Sequence, residues 1–325
     1  MARPIADRAS GRIALLGAAS PAGVRVKAAL ADRGVAGNRV ELYGHQSDIA
    51  VLSEYDGEAR LVQAAGELEA ASCAALFVCE PGHDHDELVA AAGSGTLVID
   101  LTGSVAGATL AGAPGASPSD RLVGIPHPLT TLLRSLLAPI HAAAGLREVS
   151  AFVLRPASDF GEPGLEELRE QTVRLLRFES TPTEIFGRQL AFNVVPEHLF
   201  PTGEEQAGSR IVHECRSLLA APELPLYISL ALAPVFYGHA IAAHVVTENP
   251  GRDAVIAALR AAPGVALADD EDLGTTLDAP EDPGVTVVRL DAAGSSAFSV
   301  WALGSEAGAI AAIGAITVAA GAGVL

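Results

Sequence analysis

Short, near-continuous apolar runs recur through the first 125 positions, with helical stretches between them. The runs are RIALLG (12–17), RVELYG (39–44), CAALFVCE (73–80), TLVIDLTG (96–103) and RLVGI (121–125). A strand that is apolar at every position is buried on both faces, as in a parallel sheet covered by helices. VRVKAALADRG follows the first run and stops at Gly34, and DELVAAAG separates the third run from the fourth. The spacing therefore predicts an α/β domain of the nucleotide-binding type.

The pattern then changes. A helix over 129–144 leads into LREVSAFVLRP (146–156), where apolar and polar residues alternate as in a strand with one solvated face. Next come the charged helix PGLEELREQTVRLL, the stretch RQLAFNVVPEHLF and a helix over 206–220. LPLYISLALAPVFYGHAIAAHVVTE (224–248) reads as two long strands joined at YGHA. PGRDAVIAALRAAPGV reads as a helix, and VTVVRL and SAFSVWALG as closing strands. This half predicts an α+β domain with one open sheet face, a kind of surface that oligomers often bury. The terminal AGAIAAIGAITVAAGAGVL (307–325) carries no charge and reaches the length of a membrane span. It is mostly Ala and Gly, with no basic flank or aromatic belt, and so reads as a buried helix.

At 325 residues the chain suits two domains, and 50% hydrophobic residues with dispersed Gly and Pro mark it as globular. The formal net charge is −18, and Lys27 is the single lysine. Such an acidic surface argues against nucleic acid and anionic membrane as partners. A phosphate-bearing ligand then needs a local arginine or a helix N-terminus. Cys73, Cys79 and Cys215 are too few and too irregular for a disulfide framework or a zinc site. MARPIADRASG lacks the apolar core of a signal peptide, so the expected location is the cytoplasm.

Four stretches offer chemistry. GAASPAG sets Gly17 and Gly23 around Ala18, Ser20, Pro21 and Ala22, so the backbone can turn tightly and approach a pyrophosphate. A plain strand–helix turn accounts for the same residues. GHDHDE (82–87) offers His83 and His85 as chelators, but Asp84, Asp86 and Glu87 also stand where a helix start prefers acids. PHPLTT places His127, Thr130 and Thr131 at a helix start with nothing local to activate a hydroxyl. PVFYGHA puts His239 after a glycine at a strand-to-strand turn, as a general acid/base or as a hydrogen-bonded turn residue.

Over almost its full length the chain resembles the aspartate-semialdehyde dehydrogenase family. The matching stretches, in order, are RIALLGAASPAG, LFVCEPG with LVAAAGSGTLVIDLTGS, PGLEELREQT, QLAFNVVPEH, HECRSLLAAPELPL and PVFYGHA. The resemblance implies a Rossmann-like, mostly parallel NAD(P)-binding domain over 1–127 with 306–325. It also implies an α+β substrate and dimerisation domain over 128–305. The family reduces β-aspartyl phosphate to the semialdehyde, reversibly, with NADP(H) and phosphate. A cysteine thiolate carries the acyl group, a histidine moves protons and a glutamine orients the intermediate.

The family's asparagine–proline–asparagine–cysteine–serine–threonine segment falls on IPHPLT, so Pro128 stands at the nucleophile position and His127 before it. A slip of one residue places Leu129 there instead. The glutamine becomes Arg155, and a glycine of the turn after it becomes Asp159. The substrate arginine lands on Leu232, while the helix after AFNVVP keeps one positive charge, Arg210, near Gly208. His239 matches the family histidine. On the cofactor side Gly17 and Gly23 match, but GHQSDIA offers no lysine or arginine for a 2′-phosphate, LTGSVAGATLAG replaces a serine-rich turn, and the terminal-helix contact becomes Thr317.

Three readings follow. The first is a relative that keeps the fold and the dimer without the chemistry, since thiol, glutamine and arginine act as one unit and are missing together. The chain resembles most the Usg-type members, which lack the cysteine. It would then bind NADP or NAD weakly or not at all. It would form a homodimer through its second domain, or a heterodimer with an active paralogue. The second is an oxidoreductase with altered chemistry, using His239 as acid/base and Arg155 and Arg210 for an anionic substrate. The third is a true semialdehyde dehydrogenase whose nucleophile is misaligned above; Cys79 at the end of ALFVC could reach the sheet's top edge but lies on the wrong strand for the family mechanism.

Overall fold

The computed structural model describes residues 11–44, 51–82, 85–92, 95–200, 207–249, 251–268 and 274–325. The chain divides into two compact units, Met1–His127 with Gly308–Leu325, and Pro128–Ala307.

The first unit is built on β1 (Ile13–Leu16), α1 (Pro21–Asp32), β2 (Val40–Gly44), β3 (Leu52–Tyr55), β4 (Glu58–Leu61), β5 (Gln63–Ala64) and β6 (Ala75–Val78). It continues with α2 (His85–Ala92), β7 (Leu97–Asp100), β8 (Thr109–Leu110) and β9 (Leu122–Gly124). One sheet runs in the order β5-β2-β1-β6-β7-β9-β8, and each of its pairings is parallel. The residues of β1 alternate between two cores. Ile13 and Leu15 join Val26 and Leu30 of α1, whereas Ala14 and Leu16 join Leu76, Val78 and Ala92. Both faces are therefore apolar, which is why the sequence shows runs and not alternation. Strand order reverses between β1 and β6, the place where open α/β sheets leave a crevice for a ligand.

A small antiparallel hairpin, β3–β4, stands outside that sheet. Its loop is Asp56-Gly57, with φ of 51° and 77°. Two successive positive φ values suit a hairpin turn whose twist matches the strands, and Asp-Gly adopts them readily.

The second unit begins with α3 (Pro128–Ala144), β10 (Leu146–Arg155), α4 (Gly161–Leu176), β11 (Val195–Pro196) and α5 (Ala207–Leu218). Then come β12 (Leu226–Leu232), β13 (His239–Thr247), α6 (Arg252–Ala261), β14 (Val265–Leu267), β15 (Val285–Ala292) and β16 (Ala297–Gly304). The sheet order is β11-β12-β10-β13-β16-β15-β14. β12 runs parallel to β10 and β13 antiparallel to it, so the two strands flank β10 and do not pair with each other. This corrects the reading of 224–248 as strands joined at YGHA. The connection crosses the end of β10, where Ala233 N–H donates to the Arg155 carbonyl, and Ala157 and Ser158 donate to Val235 and Phe236. His239 is accordingly the first residue of a strand.

Along β10, Val149, Ala151 and Val153 are buried, while Ser150 and Phe152 are exposed. Register carries that outward face across the sheet. Ser229, Phe152, Ala242 and Trp301 form one row, and Tyr227, Ser150, His244 and Ser299 the next. Phe152, Tyr227 and Trp301 are 43%, 60% and 36% exposed.

The last helix, α7 (Ala307–Gly321), belongs to the first unit from Gly308 on. It buries Ala312, Ala315, Ile316 and Ala319 in the same core as Ile13 and Leu15. Among the described residues no helix is long and apolar enough to cross a membrane.

Candidate functional site

In the second unit, three ionisable side chains that the fold brings together are closed off from solvent. Arg155 ends β10, Asp159 lies in the single helical turn before α4, and His239 begins β13. Arg155 Nε donates to Asp159 at 2.7 Å, with the two side chains 5% and 6% exposed. Nε2 of His239 lies 3.0 Å from Oδ1 of Asp159 and 3.2 Å from Oδ2. Nδ1 of the same ring is 3.0 Å from the carbonyl oxygen of Ser305. Both ring nitrogens thus face oxygen atoms of the protein. Arg155 is further held between the rings of Phe160 and Phe200, 5.7 and 5.5 Å from their centroids.

Burial alone would raise the Asp159 pKa, but the charges of His239 and Arg155, with their hydrogen bonds, hold it well below the usual carboxylate range. The cluster is therefore a buried network of Arg155 and His239 around one carboxylate, with Asp159 as its centre. The sequence singled out Arg155 and His239 separately. The spacing Arg-x-x-x-Asp at 155–159 marks the Arg155–Asp159 pair alone, and nothing local ties it to His239.

Pro128 is the first residue of α3, where a missing N–H costs nothing because that donor has no helical acceptor. Thr130, two residues on, is fully buried and its hydroxyl donates to Glu214 of α5 at 2.6 Å. Arg210, one turn earlier on α5, donates to the other Glu214 oxygen at 2.7 Å. Glu214 thus holds the threonine and Arg210 together, one on each carboxylate oxygen. Leu232 is fully buried at the end of β12. Gly208 N–H donates to Glu197 at 2.6 Å.

The thiols are all buried and unbridged. For Cys79, burial and then the charges of Asp100 and Glu80 push the pKa up. Burial likewise raises Cys73, and takes Cys215 to about 12. A thiolate is the reactive form, and these environments disfavour it.

In the first unit, the Gly17–Gly23 turn lies after β1, at the reversal of strand order. Ser20 caps α1, accepting from Gly23 N–H at 3.0 Å and donating to the carbonyls of Gly17 and Cys79. Gly17 has φ of 80°, and a Cβ there would stand 2.4 Å from Cβ of Glu80. A Cβ on Gly23 would stand 2.1 Å from the Gly17 carbonyl oxygen. Both glycines are thus required by the chain's own packing. Pro21 has no N–H and Gly23 gives its N–H to Ser20, so Ala22 supplies the open donor of the first helical turn. Ala18 N–H already donates to the Tyr43 carbonyl. Thr317 is exposed on α7, its hydroxyl bonded to the Ile313 carbonyl one turn back.

His83 and Asp84, the segments 1–10 and 45–50, and the side chains of His85 and Asp86 lie outside the described residues. Among the described residues, no group of three or more His, Cys, Asp or Glu is placed to hold a metal ion.

Residues 137–305 match the family described as the semialdehyde dehydrogenase dimerisation domain. A USG-1 protein homolog from Azotobacter vinelandii is 33% identical over 147 residues, which cover 43% of each chain. The matched stretch thus spans less than half the length of that curated relative. The solved structure of aspartate semialdehyde dehydrogenase II from Vibrio cholerae superposes with a TM-score of 0.82 at 24% identity, covering 95% of this chain and 97% of that one. An NADP-bound aspartate semialdehyde dehydrogenase from Candida albicans gives a TM-score of 0.68 at 16% identity, covering 97% and 99%. At these identities the two structures establish a shared fold. With more than half of its length matched to the family, the chain belongs to the semialdehyde dehydrogenase dimerisation-domain family.

Proposed function

We propose that this protein keeps the semialdehyde dehydrogenase scaffold and its dimer but not the family's thioester chemistry. The observation that carries the reading is the closed network of Arg155, Asp159 and His239. Resemblance puts the orienting glutamine at Arg155 and the proton-moving histidine at His239. Here the arginine is paired and buried, and both histidine nitrogens are taken. Pro128 at the nucleophile position and three buried thiols point the same way. A catalytic unit that lacks several of its members at once retains little activity. Arg210 is engaged by Glu214, which leaves it less fit to hold a substrate carboxylate.

NADP or NAD would be held, if weakly, at the Gly17–Gly23 turn, where Ala22 N–H and the end of α1 favour a pyrophosphate. The protein works as a homodimer through the open sheet face on which Phe152, Tyr227 and Trp301 stand exposed. The acidic surface and unbridged thiols fit a cytoplasmic protein.

The test is an assay of phosphate-dependent NADP reduction with aspartate semialdehyde. Turnover is expected to be undetectable, and a rate within about a hundredfold of an ordinary enzyme's median of about 10 per second would overturn the reading.

A further inference from the structure

We propose that the second unit carries a binding site for a small organic dianion, a dicarboxylate or a phosphate monoester, built from Arg252, Arg260 and Arg289. A cavity of about 510 Å³ opens between α6, β14 and β15, and these three arginines line it. The cavity exists because β14 is short. Its pairing ends at Leu267 opposite Val287, whereas β15 runs on to Ala292, so among the described residues no strand covers that edge beyond Val287. Arg252 leans over that edge, its Nη2 3.5 Å from the Leu290 carbonyl oxygen.

Among the described residues Asp291 is the one carboxylate in the lining, and it is paired with Arg289. The described lining thus sets three guanidinium groups against one carboxylate, in a chain whose net charge is −18. Among the described residues Arg260 makes no ion pair. Gathering like charges on one wall is unfavourable unless an anion offsets them, and guanidinium forks match the planar oxygens of carboxylate and phosphate. Ile256, Leu267 and Leu290 give the cavity an apolar floor, which suits a short hydrocarbon body between or beside the anionic groups. None of these residues belongs to the network around His239, so this inference does not depend on the reading of that network.

Calorimetric titration of the full chain at low ionic strength, with succinate and with phenyl phosphate, tests the site, and acetate serves as the monoanion control. The expected result is a dissociation constant below about 1 mM for at least one dianion. Arg252→Gln and Arg260→Gln should each weaken it about tenfold or more, with unchanged melting temperature. Because Asp269, Asp270, Glu271 and Asp272 follow Ala268 in sequence, a variant with all four made amides is titrated alongside. Equal or tighter dianion binding there supports the site. Absence of dianion binding in both proteins, binding unchanged by the arginine substitutions, or acetate binding as tightly as the dianions would each overturn it.

Discussion

His239 and Asp159 meet through Nε2 and both carboxylate oxygens, at 3.0 and 3.2 Å, in a place where the histidine side chain has no exposure at all. A ring so held has both of its nitrogens engaged. It is well suited to fix the start of β13 against the turn before α4.

The first expectation concerns Asp159. Asp159→Asn removes the carboxylate that Arg155 and His239 both face in the buried cluster, and removing one partner of a buried ion pair costs about 3–5 kcal/mol. The double change Arg155→Gln with Asp159→Gly removes the charges together and should cost clearly less than Asp159→Asn alone. Urea unfolding of the wild type and the two variants measures both. A double variant as unstable as the single one would show that the two positions are not coupled.

Acid should act through the same carboxylate. Its folded pKa is depressed below the ordinary 3.8, so its stabilising effect is fully present above that pH and is lost as pH falls through the lower folded value. The wild type is therefore expected to lose stability steeply below about pH 4. Asp159→Asn, less stable at pH 7, lacks this component, so the two stability curves should converge toward pH 2.5. Parallel curves in urea melts across pH 2.5–7 would rule out Asp159 as the source.

Restoring the thiol alone should not restore activity. In Pro128→Cys the new side chain begins α3, but Arg155 and Asp159 still occupy the positions that the resemblance gives to the glutamine and its glycine turn. The expectation is no NADP reduction for Pro128→Cys. The triple variant with Arg155→Gln and Asp159→Gly is where any recovery should appear. Activity in the single variant would mean that the buried network is no obstacle.

Much of the fold was legible because burial writes itself into spacing. Ile13–Leu16 and residues 97–99 are apolar throughout because both faces of their sheet are covered, and β10 alternates because one face is not. The partners of a strand leave no such trace. Leu226–Leu232 and His239–Thr247 look like a hairpin because they are neighbours in sequence, yet the longer β10 offers each an edge and separates them. The β3–β4 hairpin did carry a local mark in Asp56-Gly57, which the reading passed over. At the site, resemblance located Arg155 and His239, whereas their link through Asp159 depends on three chain ends converging, which no local pattern encodes.

The glycine turn offers a last test, one that separates packing from ligand binding. Gly23→Ala would bring a Cβ to 2.1 Å from the Gly17 carbonyl oxygen, and that atom is backbone with little room to yield. The substitution should cost about 2 kcal/mol or more through overpacking and strain, whether or not any nucleotide is present. Gly34→Ala, where φ is 69° and a Cβ meets nothing, isolates the cost of backbone conformation alone and should be milder, about 1 kcal/mol. Urea melts without nucleotide make the comparison. Were Gly23→Ala as stable as the wild type, the glycine would not be there for the chain's own packing, and a bound nucleotide would become the better explanation of it.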